Sequence, residues 1–447
     1  MVATFTPALN KIHETDPSAL TLLRVLCFCD PENIPMSIFT QGCGALHQED
    51  RHDIPLARPP DELEAVADLF GSQIRLSKAI QEVQRLSLAS CTLEGSERTI
   101  RIHDLVHFLM RWKLMVDTER GQWLKAAIRV VCVAFEDIGD HQSPQNWSRC
   151  GQFISHIESL EAFAEQYRLT DTGLLDASSW AAVYLDACGL YRKAAKWNER
   201  IWDQKKIILG EEHPSTLSSM ADLATVYWKQ GRWKEAEELE VRVMETRKRV
   251  LDKEHPDTLT SMNNLASTYR NQGRWKEAEE LQVWVIETRK RILGEEHPDT
   301  LTSMNNLAST YRDQGRWKEA EELQVRVIET RKRVLGEEHP GTLTSMNNLA
   351  STYRNQGRWK EAEELQVWVI EIEKRVLGEE HPGTLTSMNN LAFTLKSQSR
   401  DAEAISLMIR CCNLLRQAFG PGNHYTKASL EALNKWEGGE DELGRSD

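Results

Sequence analysis

Residues 255–296 read HPDTLTSMNNLASTYRNQGRWKEAEELQVWVIETRKRILGEE, and this unit of 42 residues decides the fold. Copies of it begin at five His-Pro pairs, whose histidines are His213, His255, His297, His339 and His381. Arrays of this kind stack one helical pair on the next, so each unit buries its apolar face only against its neighbours. The sequence therefore predicts an extended, curved surface, which is typical of proteins that bind rather than of enzymes.

Each unit reads as two helices joined by a short turn. Pro256 occupies the first turn of a helix that we expect to run to about Arg270, where Gln-Gly-Arg breaks it. We expect a second helix to begin at Lys276 and to end at Gly294, which can adopt the left-handed cap conformation. Asp252 replaces that glycine in the preceding copy, which is an acceptable but weaker choice.

The motifs Asn-Asn-Leu-Ala, Gly-Arg-Trp-Lys-Glu-Ala-Glu and Leu-Gly-Glu-Glu-His-Pro follow one another in the three copies that begin at His255, His297 and His339. This order resembles the kinesin-light-chain type of tetratricopeptide repeat over residues 213 to 418. The resemblance implies a mainly α fold, a right-handed α-solenoid of 42-residue tetratricopeptide repeats.

In the resembled family the first helices line a concave groove, and the second asparagine of Asn-Asn-Leu-Ala binds the backbone of an extended peptide. The matching residues are Asn264, Asn306, Asn348 and Asn390. Further along the same helices, three arginines add attraction for acidic ligand residues: Arg270, Arg312 and Arg354. The alternative is that these polar residues solvate the groove or brace adjacent helices.

Differences between near-identical copies mark where the units have diverged. One position alternates between Arg242, Trp284, Arg326 and Trp368. An exchange of Arg for Trp is tolerated only where the side chain reaches solvent, so we expect a variable exposed surface that tunes the choice of partner. Another position varies between Asn271, Asp313 and Asn355. Neutral drift on a surface is the alternative explanation.

The N-terminal region lacks the repeat and predicts helices followed by a β-hairpin. The hairpin runs from Ser87 to Thr92, turns at Glu94-Gly95-Ser96 and returns from Thr99 to Ile102. His103 and Asp104 come next and lead into a helix. This order resembles the winged-helix domain of NLR-like (NB-ARC) signalling ATPases, whose fungal members often carry kinesin-light-chain-like repeats.

The NLR-like resemblance implies that His103, with Asp104 beside it, is the remnant of a nucleotide contact. However, no Gly-x-x-x-x-Gly-Lys-Ser/Thr loop occurs in the sequence, so no set of backbone amides is available to bind phosphates. We therefore expect a fragment or truncated relative, whose NTPase domain belongs to a longer parent chain. A buried or capping histidine is the alternative interpretation.

Five segments follow from these patterns. They are a winged-helix-like domain at 1–115, a helical bridging segment at 116–176, the repeat array at 177–422, a capping helix at 423–437 and a disordered tail at 438–447.

The charge pattern excludes several partner classes. The net charge is −13, and positive runs such as Arg289-Lys290-Arg291 are interleaved with glutamates such as Glu295-Glu296. We interpret these runs as solvated helix faces with i,i+4 pairs, and we expect neither nucleic acid nor membrane as a partner. The sequence has no apolar run long enough for a transmembrane span.

The nine cysteines form no CxxC pair, which favours a reducing compartment and predicts a cytoplasmic protein. The recurrent histidines cannot share a metal, because equivalent positions lie roughly 10 Å apart or more. We expect no metal, no cofactor and no enzymatic activity, since no nucleophile, base and orienting group occur together.

Two functions remain after this exclusion, and both bind a protein or peptide ligand. The first is the sensing arm of an NLR-like signalling protein. The alternative is a stand-alone adaptor resembling kinesin light chain, which links cargo to a motor. Kinesin light chains carry a heptad coiled coil before the repeats, and the winged-helix pattern in that place favours the first.

Overall fold

A computed structural model of the chain describes residues 2–42, 61–94, 97–115, 120–419 and 424–443. It divides into two units, Met1–Tyr184 and Leu185–Asp447, which we call the N-terminal unit and the array. No helix within the described residues is long and apolar enough to cross a bilayer.

The N-terminal unit is helical apart from one small sheet. Its first five helices are α1 (Val2–Thr15), α2 (Pro17–Leu26), α3 (Ser37–Gly42), α4 (Asp61–Phe70) and α5 (Gln73–Arg85). The hairpin is followed by α6 (Asp104–Met115), α7 (Arg120–Glu136), α8 (Trp147–Tyr167) and α9 (Thr172–Ala187). Phe28, Phe39, Phe135 and Phe153 are among its largest fully buried side chains.

The hairpin prediction is confirmed by strands β2 (Ala89–Glu94) and β3 (Glu97–Ile102), which pair antiparallel. The middle of its predicted turn, residues 95–96, lies outside the described residues. A third strand, β1 (Ile34–Pro35), pairs with the other side of β3 and was not predicted. Two residues cannot show a strand pattern, and proline has no N–H to donate, so only the tertiary pairing defines β1.

The array alternates first and second helices, as the repeat predicts. The first helices are α11 (Pro214–Lys229), α13 (Pro256–Asn271), α15 (Pro298–Asp313), α17 (Pro340–Asn355) and α19 (Pro382–Ser397). The second helices are α12 (Trp233–Val250), α14 (Trp275–Leu293), α16 (Trp317–Leu335), α18 (Trp359–Val376) and α20 (Asp401–Phe419). Helix α10 (Tyr191–Leu209) precedes them and α21 (His424–Leu443) follows. The last helix therefore continues into the segment expected to be disordered.

The end of each second helix differs in detail from its prediction. Gly294 has a positive φ of 94°, but its ψ of 162° is extended rather than left-handed helical. The extended ψ carries the chain straight into the loop that leads to the next His-Pro pair. Asp252 adopts the same region with a φ of 97°, which favours glycine. A non-glycine residue therefore holds a strained conformation at this one repeat.

Each junction between repeats is built from an apolar cluster shared by three helices. Ile286 of α14 packs with Leu301 and Met304 of α15 and with Val327 of α16. Burial of these side chains stabilises each repeat only in the presence of the next, as expected for a stacked array. The two repeats that share the cluster are therefore coupled in stability.

The interpretation of Arg289-Lys290-Arg291 as a solvated run was wrong for its first residue. Arg289 is only 4% exposed. Its guanidinium donates to Ser303 Oγ at 2.8 Å and to the Asp299 carbonyl at 3.0 Å in the next repeat, and to Thr260 Oγ1 at 2.9 Å in its own. The equivalent arginines Arg247 and Arg331 make corresponding bonds. These three junction arginines are structural, and helical periodicity alone could not separate them from their exposed neighbours.

Candidate functional site

The candidate site is the face formed by the first helices. Helix α13 contacts α15, α15 contacts α17 and α17 contacts α19, whereas second helices of neighbouring repeats contact one another less. The more closely spaced side of a curved stack is its inner side. The first helices therefore line the concave face of the array, as the resemblance to kinesin-light-chain repeats implied.

In two of the four Asn-Asn pairs the first asparagine braces neighbouring helices of the stack. Asn347 Nδ2 donates to Ser387 Oγ of the next first helix at 2.6 Å. Asn389 Oδ1 accepts from Ser429 Oγ of α21 at 3.1 Å. In these two pairs the bracing role that the sequence left open therefore belongs to the first asparagine.

The second asparagine of each pair has different surroundings. These residues are Asn264, Asn306, Asn348 and Asn390, and all four side chains are half-buried. Within the described part of the chain, none of their side-chain amides hydrogen-bonds another residue. Each amide thus keeps a donor and an acceptor available on the concave face.

The three predicted arginines end the same helices as three of these asparagines. Arg270, Arg312 and Arg354 are half-buried at the C-terminal ends of α13, α15 and α17. Arg270 and Arg312 both lie beside Asp313. The structure therefore brings the predicted amides and guanidinium groups onto one continuous face.

The arginines of the alternating position contact the preceding repeat. Arg242 is exposed and its Nη2 lies 3.0 Å from Glu211 Oε2. Arg326 is likewise exposed and forms an ion pair with Glu295. Both glutamates belong to the loop before the His-Pro pair, so these arginines link successive repeats.

The tryptophans of the alternating position are half-buried. Trp284 packs at the edge of an apolar cluster, and Lys253 Nζ lies 4.2 Å from its ring centroid. Trp368 packs at the edge of the apolar cluster formed by α16, α17 and α18. The alternation therefore exchanges an ion pair for a packed indole at the same inter-repeat contact, which sequence reasoning did not foresee.

His103 caps the helix that follows the hairpin. Its Nδ1 accepts a hydrogen bond from the Leu105 amide at 3.2 Å, and its ring centroid lies 4.8 Å from that of Phe5. His103 and Asp104 are both exposed. This is the capping arrangement that the sequence left open as the alternative to a nucleotide contact.

The recurrent histidines cap the first helices in the same way. In each unit, Nδ1 of the histidine accepts from the backbone amide two residues further on, at 3.1 to 3.2 Å. The signal was present in the sequence, because each histidine directly precedes a proline at the first helical position. Among the described residues, no three His, Cys, Asp or Glu side chains are arranged to hold a metal ion.

Several solved structures are similar to this chain. A Podosopora anserina protein described as a kinesin light chain with nearly identical TPR-like repeats is 35% identical, with a TM-score of 0.38 over 46% of this chain and 98% of that one. BtubC (BKLC) from P. vanneervenii is 21% identical, with a TM-score of 0.38 over 53% of this chain and 92% of that one. NprR, solved with its cognate peptide NprX, is 13% identical, with a TM-score of 0.46 over 77% of this chain and 86% of that one.

No curated protein sequence matches the chain. The family model described as tetratricopeptide repeat matches residues 174–249, 224–291, 257–332, 299–372 and 353–417. These overlapping matches cover more than half of the chain, and they coincide with the helical pairs of the array. The chain therefore belongs to the tetratricopeptide repeat family, with repeats that resemble those of kinesin light chains.

Proposed function

We propose that the array binds an extended segment of a partner protein along the concave face of its first helices. One observation carries the proposal. In two of the four Asn-Asn pairs the first asparagine braces the stack, whereas no second asparagine, including Asn348, makes a side-chain hydrogen bond within the described chain. Half-buried amides that lack a partner gain free energy when a ligand supplies one.

The spacing of these amides suits a peptide backbone. First helices that pack side by side are separated by roughly 10 Å. An extended chain advances about 3.3 Å per residue, so successive asparagines would meet every third residue of the ligand. Because an amide both donates and accepts, it can pair with a peptide group whatever the ligand's side chain is. The ladder would then supply affinity, and other residues of the face would supply specificity.

Replacement of Asn264, Asn306 and Asn348 by alanine tests this proposal. We expect the variant to lose binding to an array of random 12-residue peptides that retains the wild-type protein, with unchanged helical circular dichroism. In the matched control, alanine replaces three glutamates that are exposed on the second helices, Glu280, Glu322 and Glu364. This control variant should bind the peptides as the wild type does. Undiminished binding by the asparagine variant would move the site to the outer face, where Trp284 and Trp368 would be examined next.

We further propose that the chain is the sensing arm of an NLR-like protein, which reports ligand binding to an NTPase domain in a longer parent chain. The support is the order of hairpin, Ile102-His103-Asp104 and helix α6 in the N-terminal unit. The native transcript should then carry upstream in-frame sequence that encodes a phosphate-binding loop. Upstream sequence with a heptad coiled coil would instead favour the kinesin-light-chain-like adaptor.

This proposal assigns binding and no catalytic step to the chain, and it places the protein in the cytoplasm. None of the described cysteines forms a disulfide, and most are buried, as is typical of a reducing compartment. Burial raises the pKa of thiols such as those of Cys132 and Cys150, which keeps them protonated and unreactive.

A further inference from the structure

The arginines of the concave face are not electrostatically equivalent. Asp313 follows Arg312, whereas the equivalent positions after Arg270 and Arg354 hold Asn271 and Asn355. Asp313 Oδ1 accepts from Arg312 at 3.0 and 3.1 Å, and its Oδ2 lies 3.5 Å from Arg270 Nε. One carboxylate therefore compensates two guanidinium groups from adjacent repeats.

Arg354 has no such compensation. The position that would reach it from the next repeat is Ser397, whose hydroxyl donates to the Phe393 carbonyl. Within the described residues, no carboxylate oxygen lies at ion-pair distance from Arg354. Its guanidinium instead lies 5.9 Å from the Phe393 ring centroid. Burial and the nearby Arg312 both lower the pKa of Arg354, so the charged form lacks stabilisation from its surroundings.

The next cation along the column is already paired. Lys396 occupies the position equivalent to Arg354 in the following repeat. Its Nζ lies 3.1 Å from Asp401 Oδ1 and 5.8 Å from the Trp436 ring centroid. Of the cations in this column, Arg354 is therefore the one left without a counterion among the described residues.

We propose that Arg354 binds a carboxylate of the peptide ligand and that this contact fixes the register of the peptide on the concave face. The inference rests on the proposed function, since it requires a peptide in the groove. A half-buried guanidinium without a counterion gains most from a carboxylate, which it can bind through two parallel hydrogen bonds. Arg270 and Arg312 would gain less free energy from a ligand carboxylate, because each already forms an ion pair with Asp313.

The repeats themselves provide a converse variant, Asp313→Asn. Asparagine is the natural residue at the equivalent positions 271 and 355, so the fold accommodates it. The substitution releases Arg270 and Arg312 and should create a second acidic subsite. With a repeat spacing of roughly 10 Å, the second acidic residue of the ligand should lie about three residues from the first.

The probe is an array of random 12-residue peptides, made once with amidated and once with free C-termini. We expect peptides retained by the wild-type chain to be enriched in a single Asp or Glu by about tenfold. Arg354→Gln should abolish the enrichment among the peptides that are still retained. The control is Arg291→Gln, at an exposed arginine of the second helix α14, and it should preserve the enrichment. Asp313→Asn should select acidic pairs three residues apart. Enrichment confined to free C-termini would assign the carboxylate to the chain end.

Three results would overturn the proposal. Retained peptides without acidic enrichment would remove the role of Arg354 and leave the proposed peptide binding intact. Enrichment that survives Arg354→Gln would do the same, provided circular dichroism shows the variant folded. Retention of no peptide by the wild-type chain would overturn the proposed function, and this inference with it.

Discussion

The central and the terminal junctions of the array look alike in sequence but differ in what they bury. At two central junctions a fully buried glutamine, Gln282 or Gln324, accepts a hydrogen bond at 2.8 Å from Thr310 or Thr352. At the junction between α12 and α13 the same place holds Glu240, which is 6% exposed. Burial raises the pKa of this carboxyl from 4.5 to about 7.

The junction between α18 and α19 differs in a second way. Glu373 occupies the position of the junction arginines and is 4% exposed. Burial raises the pKa of its carboxyl, and the nearby Ser387 opposes this shift. Both end junctions thus bury an acid where the centre buries a neutral amide or a guanidinium hydrogen-bonded to the next repeat. We infer that the central junctions, between near-identical repeats, are the more stable ones. The two end junctions, which bury a carboxyl group, are less stable, and their stability depends on pH.

Loss of a central junction arginine should have the largest effect. Arg289→Ala removes three hydrogen bonds from a charged donor and leaves Ser303 and Thr260 without it. We expect the free energy of unfolding to fall by about 3 kcal/mol, measured by amide hydrogen exchange across α14 and α15. The control is Arg291→Ala, whose solvent-exposed pair with Glu254 should contribute far less to stability. Equal losses would mean that burial does not distinguish the two arginines.

The second prediction replaces Glu240 by the glutamine of the central repeats. Because the folded-state pKa of Glu240 is raised to about 7 from 4.5, the contribution of this carboxyl to stability is fully present below pH 4.5 and is lost as the pH rises through 7. Glu240→Gln should therefore be about 2 kcal/mol more stable at pH 8 and unchanged at pH 4. Urea titrations at both pH values measure this.

The converse substitution sharpens this comparison. Gln282→Glu should confer the same pH dependence on a central junction, since its surroundings are equivalent. If the unfolding midpoint of Gln282→Glu showed no dependence on pH, burial at this position would not be the cause of the raised pKa of Glu240.

The smallest effect is expected from Glu373→Arg. The partners that Arg331 uses have equivalents here in the Gly383 carbonyl, Ser387 and Thr344. The variant should gain about 1 kcal/mol, read as greater hydrogen-exchange protection in α18 and α19. Glu371→Arg, at an exposed position of the same helix, is the control and should leave protection unchanged. Lower protection in Glu373→Arg would show that the last junction cannot accept the central arrangement.

Much of the fold could be predicted because its determinants are local. The helical pairs follow from the proline at each first turn and the glycine at each break, and the hairpin follows from its turn residues. Strand β1 could not be predicted, since its two residues become a strand only by pairing with β3. The candidate asparagines were found from the motif, but their availability depends on what neighbouring helices present to them.

The sequence by itself determined the repeat, its period and the residue types on each helix, because periodicity and turn chemistry act within one unit. It also marked position 313 as a place where the copies differ. Only the tertiary structure decided which charges find partners. Arg289 is buried and hydrogen-bonded to the next repeat, Asp313 pairs with two arginines, and Arg354 is left without a counterion among the described residues, since each outcome depends on the adjacent repeat. Contacts between units decide the electrostatics of the face, and no single unit contains them.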